Sequence, residues 1–201
     1  MMLLWQNIDG IEIDRTYVSK SIEFADTKTS FYFTGSDAEQ VITEDWQNVI
    51  HSASAAYVCE NGGDILEIGF VSSNYIQSHS INSHTICEIH PKMIEKANAF
   101  ASGKSNVTII TGSWYDNKDE LSTYDGILQN REFTTDQMWL SSSVVSLSKS
   151  GTHFTYDNLL SSGSYNVVSI PTDSYQEISV SPSDGQSYFT GSIYYMPKRE
   201  F

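Results

Sequence analysis

Basic residues are scarce in this sequence of 201 residues, which contains 11 lysines and arginines against 25 aspartates and glutamates. The formal charge of −14 repels phosphate backbones and anionic lipid surfaces, which argues against nucleic acids and membranes as partners. The same charge either serves solubility alone or suits a substrate that is neutral or cationic at its recognised end. The net charge therefore argues against two classes of partner but does not identify the substrate.

Cysteine is scarce, with two residues, and metal-binding patterns and long apolar runs are lacking. Cys59 and Cys87 lie in hydrophobic contexts, so we expect buried free thiols. The five histidines form neither an HxxxH nor an HxH pattern, which argues against a bound metal. No apolar run approaches the roughly eighteen residues of a membrane-spanning helix. Because the apolar start 1–5 lacks the basic flank and cleavage site of a signal peptide, we expect a cytoplasmic protein.

The first 60 residues differ in pattern from the remainder and are expected to form an accessory segment that closes over the site. Alternating or aromatic stretches at 10–14, 21–25 and 31–33 predict short strands. Apolar residues at three-to-four spacing between Ser36 and about Glu60 predict one or two helices.

Residues 61–201 alternate between strand and helix patterns. Strands are predicted at 64–70, 84–89, 106–110, 124–128 and 152–156, and helices at 72–78, 91–101 and 134–147. A turn is predicted at 149–151, and alternating stretches at 175–180 and 187–196 predict an antiparallel closing hairpin. The whole chain is therefore expected to be one α/β domain with a parallel sheet covered on both faces.

The stretch Glu67-Ile68-Gly69 and the later Glu88 carry the chemistry. Ligands of doubly wound sheets bind at the carboxyl ends of the strands, near the point where the strand order reverses. A glycine there lets the backbone approach a ligand, and an acidic residue ending the next strand accepts ribose hydroxyls. Because the loop 69–73 has a single glycine, a nucleoside without phosphates fits better than a dinucleotide. Alternatively, Gly69 only ends a strand and Glu88 is solvated.

Further motifs between Ile42 and Leu159 follow one another in a recognisable order. They are Thr43–Gln47, Ile65–Phe70, Thr85–His90, Gly112–Trp114, Tyr124–Leu128 and Phe154–Leu159. In order and spacing they resemble guanidinoacetate methyltransferase and its relatives among the class I methyltransferases. The resemblance implies a Rossmann-like methyltransferase sheet and S-adenosyl-L-methionine as the cofactor.

The resemblance also implies where the cofactor binds. It places Glu88 on the ribose hydroxyls, the loop after Gly69 against the methionine moiety, and Ser113 with Trp114 near the adenine. The complete set of cofactor-binding residues that it implies is Trp46, Glu67, Gly69, Ser72, Ser73, Glu88, Ile89, Ser113, Trp114 and Asn130. Trp46 and Trp114 are equally compatible with roles in the core.

The sequence departs from the family pattern at three positions. The family holds its guanidino acceptor between two carboxylates, whereas this chain has Gln47 and Asn130 at those places. Amides neither neutralise a guanidinium nor accept its proton well, so guanidinoacetate is not the expected acceptor. In addition, the β-branched Val71 replaces the second glycine of the cofactor loop.

We therefore predict a methyltransferase for a small molecule, in which Gln47 and Asn130 are the catalytic residues because they hydrogen-bond a neutral or amide-bearing acceptor. One alternative is a lyase or cyclase that releases methylthioadenosine from the same cofactor. Another is a pseudoenzyme that binds the cofactor without turnover. The tail after Leu159 is shorter than the family pattern, which allows for a homo-oligomer whose second subunit completes the pocket.

Overall fold

Strands dominate the structure, a computed structural model that describes residues 5–8, 11–14, 21–24, 28–32, 39–114, 116–130, 144–157, 174–182, 189 and 191–201. The strands in these ranges are β1 (Trp5–Ile8), β2 (Ile11–Asp14), β3 (Ser21–Phe24), β4 (Lys28–Tyr32), β5 (Glu39–Glu44), β6 (Asp64–Ile68), β7 (Ser83–Glu88), β8 (Val107–Thr111), β9 (Tyr124–Gln129), β10 (Ser148–Tyr156), β11 (Ser174–Ser179) and β12 (Ile193–Glu200). The α-helices there are α1 (Asn48–Val58), α2 (Ser73–Ile76) and α3 (Pro91–Ala101).

Seven of the described strands form the central sheet, in the order β11-β12-β10-β9-β6-β7-β8. Strands β6 to β10 run parallel to one another, whereas β12 pairs antiparallel with both β10 and β11. Strand β6 is buried along most of its length, as is typical of a parallel strand covered on both faces. The predicted α/β architecture and the antiparallel closing strands are confirmed.

The strand order reverses beside β6. Strand β7 follows on one side of β6, whereas β9 pairs with its other side and the sheet continues from there to β10. Ile68 and Gln129, near the carboxyl ends of β6 and β9, are register partners. This edge is therefore the switch point at which doubly wound folds bind their ligands.

The end of helix α1 lies directly against Gly126 of β9 in the central sheet. A Cβ atom added to Gly126 of β9 would lie 2.0 Å from the carbonyl oxygen of Val58, so only glycine permits this contact. At the same helix, the Tyr57 hydroxyl donates to the backbone oxygen of Arg199, 2.8 Å away and 142 residues later in the chain. Helix α1 is thus fixed against both β9 and β12.

The helix predicted to begin near Ser36 is wrong in its first part. Residues Glu39–Glu44 form β5, which pairs antiparallel with β4, and a 3-10 turn at Asp45–Gln47 leads into α1. The run Val41-Ile42-Thr43 is β-branched and favours a strand once a pairing partner is available. Strands β3, β4 and β5 form a three-stranded sheet, and β1 pairs with β2.

The turn predicted at Lys149-Ser150-Gly151 is also wrong, because these residues belong to β10. The register between β10 and β9 shifts between Ser148 and His153, and Gly151 has a φ of 81°. The glycine therefore serves an irregularity inside the strand. Of the helix predicted at 134–147, residues 134–143 lie outside the described part, and Val145–Leu147 form a 3-10 turn.

Both cysteines are buried free thiols, as predicted. Burial raises the pKa of Cys59 and of Cys87 to about 12, so both stay protonated at neutral pH. No helix in the described ranges has the length and apolar character needed to cross a membrane.

Candidate functional site

The carboxylate of Glu67 organises the loop that follows β6. Glu67 is fully buried, and its Oε1 atom accepts the backbone N–H groups of Val71, at 3.1 Å, and Ser72, at 2.6 Å. Its Oε2 atom accepts the Ser73 hydroxyl and, at 3.0 Å, the Nε2 atom of His84. Because a buried carboxylate requires hydrogen-bond donors, Glu67 fixes the course of residues 69–73.

Asn130, directly after β9, closes this network from the other side of the switch point. Its Nδ2 group donates to Glu67 Oε1, at 2.6 Å, and to the backbone oxygen of Gly69, at 2.8 Å. Its Oδ1 atom accepts the Ser72 hydroxyl at 2.6 Å. Both polar atoms of the Asn130 amide are therefore bonded within the protein.

Gly69 makes the turn from strand to loop. Its φ of +85° is a conformation that side chains with a Cβ atom rarely adopt. Its N–H group donates to the backbone oxygen of Cys87 at 2.8 Å. Val71, in place of the second glycine of the family, is accommodated with its N–H group bonded to Glu67.

Glu88 ends β7 and connects two loops. Its Oε1 atom accepts the N–H groups of Ile89 and His90, both at 2.8 Å, and its Oε2 atom accepts the N–H group of Phe70 at 2.9 Å. A carboxylate offers about four acceptor positions, and among the described residues one position on Oε2 has no donor. The role in ribose binding that the family resemblance implies for Glu88 stays a prediction.

Ser113 and Trp114 lie in the turn after β8. The N–H group of Gly112 donates to the backbone oxygen of Glu88 at 2.8 Å, which brings this turn to the end of β7. Trp114 is half-buried and packs against the core cluster that contains Ile110 and Tyr124. The two predicted adenine-binding residues therefore lie beside Glu88 on neighbouring strand ends.

Trp46 and Gln47 lie in the turn before α1, and their described bonds go to Glu44. The Trp46 indole donates to a Glu44 carboxylate oxygen at 3.0 Å, and its ring stacks on Phe189 with centroids 5.5 Å apart. The Gln47 Oε1 atom accepts the N–H group of Glu44 at 2.7 Å in a capping box. The structure thus unites Glu67, Gly69, Ser72, Ser73 and Asn130 in one network and gives Trp46 and Gln47 separate partners.

Two buried histidines at the site were missed by the sequence reasoning. His84 bonds Glu67, and His51 contacts Ser72 Oγ through Nδ1 at 3.1 Å. Burial lowers the pKa of His51 to about 4. The available signal was periodicity, because His51 lies on the face of α1 that carries the buried Ser54 and Ala55.

Neither a metal-binding cluster nor the described cavity belongs to this network of residues in the part of the chain that the structure describes. Over the described ranges, no group of three or more His, Cys, Asp or Glu residues is arranged to hold a metal ion. A cavity of about 300 Å³ lies at the amino ends of β6, β7 and β9, away from the switch point. It is lined by Asp64, Ser83, Thr85, Thr108, Ile110, Glu120, Ser122, Thr123 and Tyr124.

The strand order and the loop after β6 define the class I Rossmann-like methyltransferase fold. Spermidine synthase from Thermotoga maritima has a TM-score of 0.62 at 12% identity, covering 90% of this chain and 72% of that one. N-methyltransferase NodS from Bradyrhizobium japonicum has a TM-score of 0.56 at 14% identity, covering 77% and 96%. At these identities the likeness shows the fold alone.

Comparison of the sequence with models of protein families identifies the family of this chain. The family model of guanidinoacetate N-methyltransferase matches residues 8–181. The chain therefore belongs to the guanidinoacetate N-methyltransferase family, a family of S-adenosylmethionine-dependent methyltransferase enzymes, which confirms the resemblance seen in its motifs.

Two fungal relatives carry the name protein arginine N-methyltransferase 2. The protein from Kluyveromyces lactis is 28% identical over 158 residues, covering 71% of this chain and 38% of the relative. The protein from Yarrowia lipolytica is 27% identical over 120 residues, covering 55% of this chain and 24% of the relative. The chain thus spans well under half the length of these relatives.

Proposed function

We propose that the chain is an S-adenosylmethionine-dependent methyltransferase that acts on a small molecule whose reacting group is not a guanidinium. One observation carries the proposal: at the switch point, where the family has a carboxylate, the Asn130 amide is bonded to Glu67, Gly69 and Ser72. A guanidinium placed there would meet an amide instead of a paired carboxylate, and the nearby Glu67 carboxylate is fully buried and already hydrogen-bonded within the protein.

The cofactor would be held at the carboxyl ends of β6, β7 and β8. The remaining acceptor position of Glu88 suits a ribose hydroxyl, the loop from Gly69 through Ser73 faces the methionine moiety, and Ser113 with Trp114 contacts the adenine. When bound, the cofactor supplies an activated methyl group on a sulfonium, so alignment of the acceptor provides much of the rate. The residues of the chain therefore position the acceptor and shield the reacting groups from water, and little acid–base chemistry is required of them.

A buried amide oxygen at the end of β9 is the candidate contact for the acceptor. Gln129 is 5% exposed, and its Oε1 atom has no hydrogen-bond partner in the part of the chain that the structure describes. Gln129 is the register partner of Ile68 and of Tyr156 at the end of the sheet. Because buried polar atoms are normally paired, we propose that this atom accepts an N–H or O–H group of a neutral acceptor.

Gln47 and Asn130 remain predicted to line the acceptor side. Direct bonds to the acceptor would require Gln47 to release Glu44, and Asn130 to release Glu67, Gly69 or Ser72. We therefore propose that these two amides shape the site and that Gln129 makes the direct bond.

Arginine in a protein is the second candidate acceptor, because two relatives are named protein arginine N-methyltransferase 2. The amides at positions 47 and 130 count against it for the same reason as against guanidinoacetate, since an arginine side chain also carries a guanidinium.

The test is incubation of the purified protein with S-adenosylmethionine, alone and with guanidinoacetate, an arginine-containing peptide or a panel of neutral amines and amides. We expect S-adenosylhomocysteine to form only with members of the neutral panel, as read by liquid chromatography and mass spectrometry. Methylthioadenosine without an acceptor would establish a lyase or cyclase instead, and a methylated peptide would establish the second candidate. Glu88→Ala should abolish turnover, and Glu95→Ala, on the exposed surface of α3, is the matched control.

A further inference from the structure

A chain of hydrogen bonds joins the three-stranded accessory sheet to the cofactor loop. Thr43 Oγ1, in β5, lies 2.9 Å from His51 Nε2, and His51 Nδ1 lies 3.1 Å from Ser72 Oγ. Ser72 Oγ lies 2.6 Å from Asn130 Oδ1, and Asn130 Nδ2 lies 2.6 Å from Glu67 Oε1. Four hydrogen bonds thus connect β5 to the buried carboxylate that shapes the loop.

The chemistry of these groups fixes the direction of every bond. An amide oxygen only accepts, so the single Ser72 hydroxyl proton points to Asn130. The bond between Ser72 and His51 therefore requires a proton on Nδ1 of His51. Burial lowers the pKa of His51 to about 4, so the ring is neutral at pH 7. Its Nε2 atom is then unprotonated and accepts the hydroxyl proton of Thr43.

We propose that His51 is a positioning residue that makes the geometry of the cofactor loop depend on strand β5. Each donor in the series points toward Glu67. The Thr43 hydroxyl therefore orients the His51 ring, the ring orients the Ser72 hydroxyl, and the Ser72 hydroxyl orients the Asn130 amide. Loss of the Thr43 bond leaves the loop intact but less ordered. This inference rests on the proposed function for its ligand, because the loop is proposed to hold S-adenosylmethionine.

Thr43→Val is the decisive variant, because valine has the shape of threonine without its hydroxyl group. We expect it to weaken the binding of S-adenosylhomocysteine about fivefold, the effect of one lost hydrogen bond, as measured by calorimetry on the full chain. Thr43→Ser keeps the hydroxyl and should restore the affinity. Thr108→Val, an exposed change on β8, is the matched control and should have no effect.

A double-mutant cycle separates coupling from general damage. In His51→Asn the amide nitrogen can replace Nδ1 and keep the bond to Ser72, while the contact with Thr43 is lost. In that background Thr43→Val should cause no further loss of affinity. The inference is overturned if Thr43→Val weakens binding by the same factor in both backgrounds, or in neither.

Hydrogen exchange of the loop distinguishes failure of this inference from failure of the proposed function. If the wild-type protein does not bind S-adenosylhomocysteine, the proposed function fails. Thr43→Val should still increase amide exchange in residues 69–73 and leave the exchange of α3 unchanged. Unchanged exchange in residues 69–73 would contradict the coupling irrespective of the ligand.

Discussion

Single buried polar side chains set the geometry of the candidate site. The Glu67 carboxylate has no exposed surface and accepts hydrogen bonds from residues of the loop, of β7 and of the segment after β9. Replacing one of these donors leaves a charge partly uncompensated in the interior, which is costly. The loop 69–73 is therefore held in place by hydrogen bonds to a side chain of the central sheet, independently of a ligand.

His51 should make the stability of the protein depend on pH. Its pKa is lowered from 6.5 to about 4 by burial, so between these values the unfolded chain binds a proton that the folded chain does not. The contribution of His51 is complete above the unfolded pKa and is lost as the pH falls towards 4. Between about pH 7.5 and 5 the free energy of unfolding should fall about 2 kcal/mol more in the wild type than in His51→Asn.

Urea unfolding of both proteins at the two pH values measures this difference. Thr108→Val, an exposed change on β8 that removes no titratable group, serves as the control and should retain the wild-type pH dependence. Equal losses in the wild type and in His51→Asn would show that His51 does not titrate as described.

Some of these residues could be predicted from sequence and others could not. Glu67, Gly69 and Glu88 lie at or next to the ends of β6 and β7 in a recognisable motif. Because parallel strands end at the same edge of a sheet, their closeness in space could be predicted. The bonds from His51 to Ser72 and from Asn130 to Glu67 span 21 and 63 residues, and no local spacing encodes them. The network of hydrogen bonds that makes Asn130 a structural group exists only in the folded chain.

At the scale of elements, the packing of α1 on β9 depends on one missing side chain. Val58 and Ile65 both approach the position where a Cβ atom of residue 126 would lie, at 2.0 Å for the Val58 oxygen and 2.8 Å for Ile65 Cδ1. Neither the helix backbone nor a core isoleucine can move without disturbing its neighbours. Gly126 is therefore a packing requirement of the element pair.

Gly126→Ala should lower the free energy of unfolding by about 3 kcal/mol, because the added methyl group forces α1 away from the sheet. Denaturant unfolding followed by circular dichroism measures the change. Gly103→Ala is the control: nothing lies within 4 Å of its added Cβ atom, although φ is +79°, so a loss of only about 1 kcal/mol is expected. Equal losses in the two variants would contradict the packing explanation.

Elements were predictable where one pattern dominated. Strands β6, β7 and β9 are segments of five or six residues between turns, shorter than helices of ordinary length. Strand β5 was mistaken for helix because Val41, Ile42 and Trp46 also satisfy a helical spacing. Pairing with β4, which decides in favour of the strand, is a tertiary effect.

At the scale of the whole molecule, the charge of −14 acts against the folded state. Folding brings carboxylates closer together than they are in the extended chain, and their repulsion lowers stability. Lys149, which bonds both Asp64 and Asp125, relieves this locally.

Added salt should therefore stabilise the protein. Raising sodium chloride from about 0.05 to 0.5 M shortens the screening length and should raise Tm by roughly 3 °C. Differential scanning calorimetry measures the shift. Near pH 4.5, the isoelectric point of the sequence, the net charge is close to zero. Added salt should therefore raise Tm much less at that pH. A Tm that falls with salt at neutral pH would show that attractive ion pairs outweigh the repulsion.

The bond between the Tyr57 hydroxyl and the Arg199 backbone joins residues 142 positions apart, and Ser54 likewise contacts Met196. The face of α1 is thus completed by one of the last strands in the sequence. A chain whose contacts are this distant must close large loops before it gains their energy, which slows folding relative to helical proteins of similar stability. We therefore expect β12 to pack on α1 later in folding than the local structure of α1 forms.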